Sequence, residues 1–276
     1  MLFCGIELAA RIEQAECRLV SDACANVARR LGNVLAMPIS GGIAAFTESG
    51  SPLNKVAGLG FGGAFDETAF ARIESEHAAR NAPVQVELAT LADPSFAKAL
   101  TRRGYLLVGV ENVLGLRLPL EARSATESKL QIARSDNTEL DEWIDVMVRG
   151  FASVDAQGIA AHEEYPRDVI EGIMRDFAAA EGVVRYLARR DGKPVGAGTM
   201  RMFAGVAQMC GAATLPAHRR RGVQSALLLR RLAEASDNGC TVAIVTTQPG
   251  SKSQENVQRQ GFELLYSRNV LRREPR

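Results

Sequence analysis

At 276 residues, 46% of them hydrophobic, the chain has material for one large domain or two of ordinary size. Its 33 Lys and Arg balance 32 Asp and Glu to a net charge of +1, leaving no global field to draw in nucleic acid or anionic lipid, so any anion site must be local. The five cysteines (Cys4, Cys17, Cys24, Cys210, Cys240) are odd in number and not grouped with histidines, which speaks against a disulfide framework or a metal site and for a reducing, cytoplasmic setting. Charges at Glu7, Arg11 and Glu13 interrupt the N-terminal apolar run before signal-peptide length, and no run of about 18 apolar residues follows to cross a membrane.

In chain order, residues 7–31 have few breakers and place Leu8, Ile12, Leu19, Ala23 and Val27 near one helical face. Two short apolar runs, 34–39 and 42–46, flank Ser40-Gly41 and predict a hairpin. A glycine-rich stretch, 54–63, precedes a helix over 66–80 with Asp66 as its N-cap. A strand over 83–88, a helix over 93–103 stopped by Gly104, and a strand over 105–118 follow. The polar stretch 119–129 lacks periodicity and is the linker candidate. The domains expected are therefore 1–120 and 130–276, joined by 121–129.

A second cycle begins with a strand over 130–133, helices over 138–151 and 166–179, and a hairpin of 183–189 with 194–202 around Asp191-Gly192. A strand over 206–214, a helix over 223–238, a strand over 241–246, a short helix over 253–260 and a strand over 262–271 complete it. Strands mixed with helices in this order imply an α/β fold around a central sheet. Sliding the chain by 157 residues aligns Thr101–Leu114 with Gln258–Leu271 without a gap, with identities at six of the fourteen positions. The strand over 83–88 and the helix over 66–80 also find counterparts at that offset, so the chain reads as two copies of one fold.

Residues 211–229, GAATLPAHRRRGVQSALLL, run from a strand end through a proline and a basic cluster to one glycine and a helix start. A helix N-terminus presents unpaired N–H groups and partial positive charge, Gly222 allows close approach, and Arg219, Arg220 and Arg221 add local charge. Without more, three arginines in this setting are also compatible with a solvated turn. The spacing Arg219-x-x-Gly222-x-Gln224 resembles the Arg/Gln-x-x-Gly-x-Gly/Ala acyl-CoA motif of the GNAT N-acetyltransferase superfamily, with Gln224 departing from the usual Gly or Ala. The sequence SKSQENVQRQGF is similar to that family's short helix with an asparagine before Gly-Phe and the last strand.

The resemblance covers residues 127–276. It implies two tandem GNAT-like domains, each with a mixed central sheet flanked by helices, and acetyl-CoA or another acyl-CoA as cosubstrate with no metal. The implied cofactor contacts are Thr214, Leu215, Arg219, Arg220, Arg221, Gly222, Val223, Gln224 and Ser225 around the turn, with Asn256 and an assisting Ser253 downstream. The N-terminal copy carries AGLGFGGAFDE (57–67) where the turn would be, with glycines but no cation and with Asp66 and Glu67 opposing an anion; it reads as a structural copy that shapes the acceptor pocket.

The implied reaction is direct attack of an amine on the thioester, which needs positioning, a proton acceptor and oxyanion stabilisation. The family often has a carboxylate on the strand before the motif, and 206–215 has none; where it often has a tyrosine, this chain has Val257. Glu163 and Glu164, beside His162, and Tyr266 are the weak catalytic candidates, each with a bland alternative as solvated turn or packing residue. Cys210 reads as a small buried hydrophobe, Trp143 as core, His77 as a helix-surface residue and His218 as part of the basic turn. The expected acceptor is a small-molecule or peptide amine; a non-catalytic acyl-CoA sensor is the rival, nucleic acid and membrane are disfavoured, and a homodimer stays open.

Overall fold

The computed structural model describes residues 1–119, 130–152 and 167–275. The first half consists of α1 (Ile6–Leu31), β1 (Leu35–Ile39), β2 (Gly42–Phe46), β3 (Lys55–Ala57), α2 (Glu67–Ala78), β4 (Val84–Ala89), α3 (Pro94–Arg102) and β5 (Leu106–Arg117). The second consists of β6 (Leu130–Arg134), α4 (Leu140–Phe151), α5 (Arg167–Ala178), β7 (Val183–Arg190), β8 (Lys193–Phe203), β9 (Val206–Gln208), β10 (Ala212–Thr214), α6 (Val223–Asp237), β11 (Val242–Thr247), α7 (Lys252–Gln258) and β12 (Glu263–Arg273).

Local chemistry accounts for most boundaries. Asp66 caps α2 by accepting from the Ala69 N–H at 2.9 Å, and Asp93 caps α3 by accepting from the Ser95 N–H at 2.8 Å. The β1–β2 turn places Ser40 and Gly41 at positive φ, the geometry a two-residue hairpin demands. Two features depart from the sequence expectation. The glycine-rich stretch contains β3, too short to show a period. The strand expected over 206–214 is broken at 209–211, where Gly211 takes a φ of 119° and lets the chain turn out of line.

All twelve strands join one sheet in the order β1-β2-β3-β4-β12-β5-β11-β9-β8-β7-β6, with β10 paired to β8 off this path. The two central sheets expected from the repeat are thus continuous, because the last strands interdigitate: β12 lies between β4 and β5, and β5 between β12 and β11. In the antiparallel β5–β12 ladder Glu111 faces Arg268, and these two residues are also 157 apart in sequence. A pseudo-two-fold axis normal to the sheet therefore passes between them, exchanging β4 with β11 and β5 with β12.

One face of the sheet carries α1, α4 and α5, and the other α2, α3, α6 and α7. Ala9, Ile12 and Ala15 of α1 pack on Val113, Val206, Ile244 and Tyr266, so the N-terminal helix lies over strands of both halves. Val223, Leu227, Leu228 and Leu232 of α6 bury against Ala207, Met200 and Val245 on the opposite face. Each such side chain contributes about 1.5–3 kcal/mol by leaving water, enough to hold the interdigitated strands in one register. Among the described residues no helix is long and apolar enough to cross a membrane.

Candidate functional site

The break at 209–211 opens the sheet. Strand β9 runs parallel to β11 through Gln208 and Ile244, and the Met209 N–H donates to the Ile244 carbonyl at 2.8 Å. Beyond that bond β10 stays with β8 while β11 continues to Thr247, so a split separates them. In the β10–β8 ladder Thr199 N–H bonds Gly211 O at 2.9 Å and Leu215 N–H bonds Val195 O at 3.0 Å. The alternation of an antiparallel ladder then turns the backbone groups of Ala212 and Thr214 away from β8, toward the split. Thr214 and Thr247 lie on its two lips, on the face that carries α6, and their buried hydroxyls have no hydrogen-bond partner among the described residues. Buried polar atoms are normally satisfied, so this pair marks a place where a polar ligand fits.

The N-terminus of α6 points at the same split. Gly222 is its N-cap at φ 78°, no side chain caps it, and a Cβ added there would meet nothing within 4 Å. The first intrahelical bond runs from Ala226 to Gly222, so the N–H groups of Val223, Gln224 and Ser225 have no helical acceptor. Val223 buries its side chain in the core, which anchors the turn.

The three arginines divide their work. Arg219 directs its guanidinium to the carbonyls of Thr214 (3.4 Å) and Gly150 (3.2 Å), tying the turn to β10 and to the end of α4. Arg220, at φ 58°, and Arg221 are exposed beside the helix start, and the Arg221 carbonyl accepts from Arg190 at 3.2 Å. Gln224, the departure from the family pattern, donates its amide to the Ala212 carbonyl at 3.1 Å and so closes one acceptor on the open edge while leaving the N–H groups. Leu215 is half-buried, and the buried Nδ1 of His218 lacks a partner among the described residues.

On the far lip, Ser251 caps α7, accepting from Gln254 N–H at 3.2 Å; Ser253 is exposed and Asn256 half-buried. Val257 is a core residue, packed with Phe262 against α6. Asn112 of β5 reaches Gln254 at 3.4 Å, so a strand of the first half supports this helix.

The candidates for chemistry scatter. Glu163 and Glu164, with His162, lie outside the described residues. Tyr266 is buried and donates its hydroxyl to Glu13 at 2.6 Å; burial and the Glu13 charge raise its pKa. Cys210 sits at the break, where burial first and Glu16 next push its thiol up to about 12, leaving it a neutral thiol at pH 7. His77 is fully buried rather than on a helix surface: it closes the inner face of α2, edge-on to Phe46 and bonded to Pro83 O at 2.8 Å. Trp143 is core, as the sequence suggests.

A strip of charged residues on the α1 face was not foreseen. Arg268 Nε donates to Glu13 at 2.8 Å, Lys55 lies 2.9 Å from Glu16 and 3.1 Å from Glu87, and Arg201 lies 2.8 Å from Asp22. Gln208 of β9 donates to Glu16 at 3.3 Å, bringing the strip to the edge of the break. Burial would raise Glu16, but Lys55, Arg268 and Arg201 pull it down to about 2. Glu111, half-buried among these groups, is pushed up to about 7 by burial first and by Glu87 next. Glu13 and Glu16 sit on a helix whose period predicts only its apolar face, and Glu87, Glu111 and Lys55 are isolated charges in short strands. Their convergence has no local signature beyond a charge on an otherwise apolar strand.

The equivalent place in the first half is closed. Where β10 leaves β11, its counterpart β3 pairs in parallel with β4 through Val56 with Val86 and Ala57 with Glu87. The loop glycines serve close packing, since a Cβ at Gly41 would lie 2.6 Å from the Gly62 carbonyl and one at Gly42 2.2 Å from that of Ala57.

Residues 148–262 match the model of the acetyltransferase (GNAT) family. Among solved structures, a GCN5-related N-acetyltransferase from Kribbella flavida has a similar fold over 98% of this chain and 96% of its own, with a TM-score of 0.65 and 20% identity. A tandem GNAT protein of the clavulanic acid biosynthesis pathway aligns with 85% of this chain and 78% of its own, at a TM-score of 0.59 and 11% identity. A putative GNAT-family acetyltransferase from Novosphingobium aromaticivorans aligns with 93% of this chain and 97% of its own, at 0.52 and 17% identity. No curated protein sequence matches the chain. With a split sheet and an uncapped glycine-led helix aimed at it, residues 148–262 are similar to the acetyltransferase (GNAT) family over the stretch its model matches, in a chain whose overall fold is shared with GNAT proteins.

Proposed function

We propose that the protein transfers an acetyl group from acetyl-CoA to an amine of a small molecule or peptide, with one cofactor site, in the C-terminal half. The observation that carries this reading is the split between β10 and β11 with the free N–H groups of α6 at its mouth. The amide-bearing pantetheine arm suits the exposed N–H groups of Ala212 and Thr214, and the hydroxyls of Thr214 and Thr247 gain partners there. The pyrophosphate suits the N–H groups of Val223, Gln224 and Ser225, with Arg220 and Arg221 supplying charge. Ser253 and Asn256 stand on the α7 side.

Bound acetyl-CoA supplies an activated acyl carbon and a thiolate leaving group. The chain's contribution is to hold that carbon at the break and to admit the amine from the face of α1, α4 and α5. The neutral thiol of Cys210 argues for direct attack rather than an acyl-enzyme. In this reading the protein is a cytoplasmic enzyme with domains at 1–120 and 130–276, and β5 and β12, the last strands of the two halves, interlock.

The test is release of CoA thiol from acetyl-CoA across a panel of amines, with CoA binding measured in parallel. Thiol release that depends on an amine supports the reading. Tight CoA binding with no turnover on any acceptor supports a sensor instead, and no CoA binding overturns both.

A further inference from the structure

Further along α6, Arg231 is only 3% exposed and, among the described residues, has no carboxylate beside it. Two glycines of β8 bring it against the sheet. A Cβ at Gly196 would lie 2.5 Å from Val223 Cγ1, so the missing side chain lets α6 settle on the strand. One at Gly198 would lie 3.4 Å from Arg231 Cζ, so the guanidinium rests against bare backbone. Its Nε donates to the Leu227 carbonyl of its own helix at 3.1 Å, and its Nη1 donates to the Thr199 carbonyl at 2.9 Å and the Gly211 carbonyl at 3.2 Å. Burial pushes the guanidinium down to about 10, so it keeps its charge at pH 7. A cation out of water without an anion is costly, and here carbonyls alone hold it.

The two sheet bonds stand where the ladder is interrupted. Gly198 faces Ala212 and Arg201 faces Gln208, so Met200 alone stands opposite both Met209 and Cys210, which makes the break a bulge. An antiparallel pair in hydrogen-bonding register exchanges two bonds, but Thr199 and Gly211 make only one. Thr199 N–H gives to Gly211 O, while Thr199 O receives Arg231 in place of the Gly211 N–H, which has no acceptor among the described residues. The side chain thus occupies the acceptor that would draw Gly211 back onto β8, and Gly211 keeps its φ of 119°. In the closed half, the offset of 157 puts Glu74 of α2 where α6 has Arg231, and Glu74 pairs with Arg103 and Arg273. A carboxylate has no hydrogen to give a strand carbonyl.

We propose that Arg231 is a positioning residue for the transfer, a latch on α6 that occupies Thr199 O and Gly211 O and so holds residues 209–211 out of the ladder, where the thioester is received. Its effect on rate rests on the acetyltransferase reading; its effect on the backbone does not. The latch acts through Gly211 and touches neither the amine nor the acyl carbon. Without it Thr199 O takes the Gly211 N–H and the bulge closes toward β8. The acyl carbon then loses its seat, while the α6 N-terminus still offers its N–H groups to an anion.

The experiment compares the full-length wild type with Arg231→Met, which keeps the stem without the donors, and Arg231→Lys, which keeps the charge and a donor. Hydrogen exchange of the Gly211 amide is followed by NMR, alongside CoA affinity, the unfolding midpoint and, for an amine that the wild type acetylates, kcat and KM. In the wild type the Gly211 amide is expected to exchange roughly 10-fold or more faster than that of Thr199, its ladder partner. In the Met variant it is expected to gain protection of that size, with kcat lower by roughly 10–100-fold and CoA affinity within about threefold. The unfolding midpoint is expected to stay near that of the wild type, because the closed ladder gives Thr199 O a new donor. The Lys variant is expected to leave the amide unprotected and to recover most of kcat. Equal protection of Gly211 and Thr199 in the wild type overturns the proposal, whatever the variants do. So does a Gly211 amide that exchanges alike in the wild type and the Met variant, or a lower midpoint with unchanged kcat, which marks a residue that only holds the fold together. A wild type that binds CoA but acetylates no amine overturns the acetyltransferase reading, while the exchange comparison still decides on the latch.

Discussion

Helices α2 and α6 occupy equivalent places in the two halves, each following a short strand and a loop, yet their N-termini face opposite fates. At α2 the Asp66 carboxylate spends a free N–H and adds negative charge, while β3 stays bonded to β4. At α6 no side chain intervenes, Gly222 leaves open space, and β10 parts from β11. One fold thus yields a closed copy or an open split with an uncapped helix N-terminus, depending on a capping carboxylate and on a few hydrogen bonds between two strands.

The comparison can be broken at its axis first. Arg268→Ala removes the cation that satisfies buried Glu13 opposite Glu111 and is expected to cost about 3–5 kcal/mol, lowering Tm by roughly 10 °C. A change of a degree or two in thermal unfolding would show that the strip does not hold the halves together. Next, Gly222→Asp sets an anion and a strained residue at the α6 N-terminus and is expected to raise the Kd for CoA by roughly 10–100-fold, about 1.4–2.7 kcal/mol. The parallel change Gly63→Asp, in the loop before α2, is expected to leave CoA binding within about twofold; titration calorimetry on both variants decides whether the halves differ as described.

Asp66→Ala removes a cap and is expected to cost about 1 kcal/mol of stability with no effect on CoA affinity. Weaker CoA binding in that variant would reveal a functional link from the closed half. The smallest effect is expected from Gln224→Ala. Freeing the Ala212 carbonyl for a ligand amide should tighten CoA binding by roughly threefold, within the net worth of one hydrogen bond. Looser binding would show that the Gln224 bond organises the turn.

Much of the candidate site's backbone geometry was legible because it is local. The run from Thr214 to Ser225 encodes a strand end, a turn and an uncapped helix in twelve consecutive residues. The side chains within it were less legible. Arg219 ties the turn to Gly150, which is 69 residues away, and Gln224 bonds Ala212 across the split. The helix expected over 253–260 is α7, Lys252–Gln258 with Ser251 as its cap, a shift at both ends of the kind that escapes pattern reading. His77 was misplaced because a polar residue in an amphipathic pattern is assigned outward, whereas its ring is satisfied by Pro83 O and Phe46.

The sequence by itself determined the order of elements apart from β3 and the break between β9 and β10, the repeat at an offset of 157 and the glycine-led turn before α6, all carried by short-range periodicity, capping and spacing. Tertiary structure alone decided that the last strands interdigitate, that β10 leaves β11 while β3 stays with β4, and that charges from α1, β3, β4, β5 and β12 meet under one helix. The physical reason is that strand partnership and buried charge pairing are long-range choices. Either half's last strand can satisfy a neighbouring ladder, and the burial and pairing of side chains far apart in sequence select the arrangement.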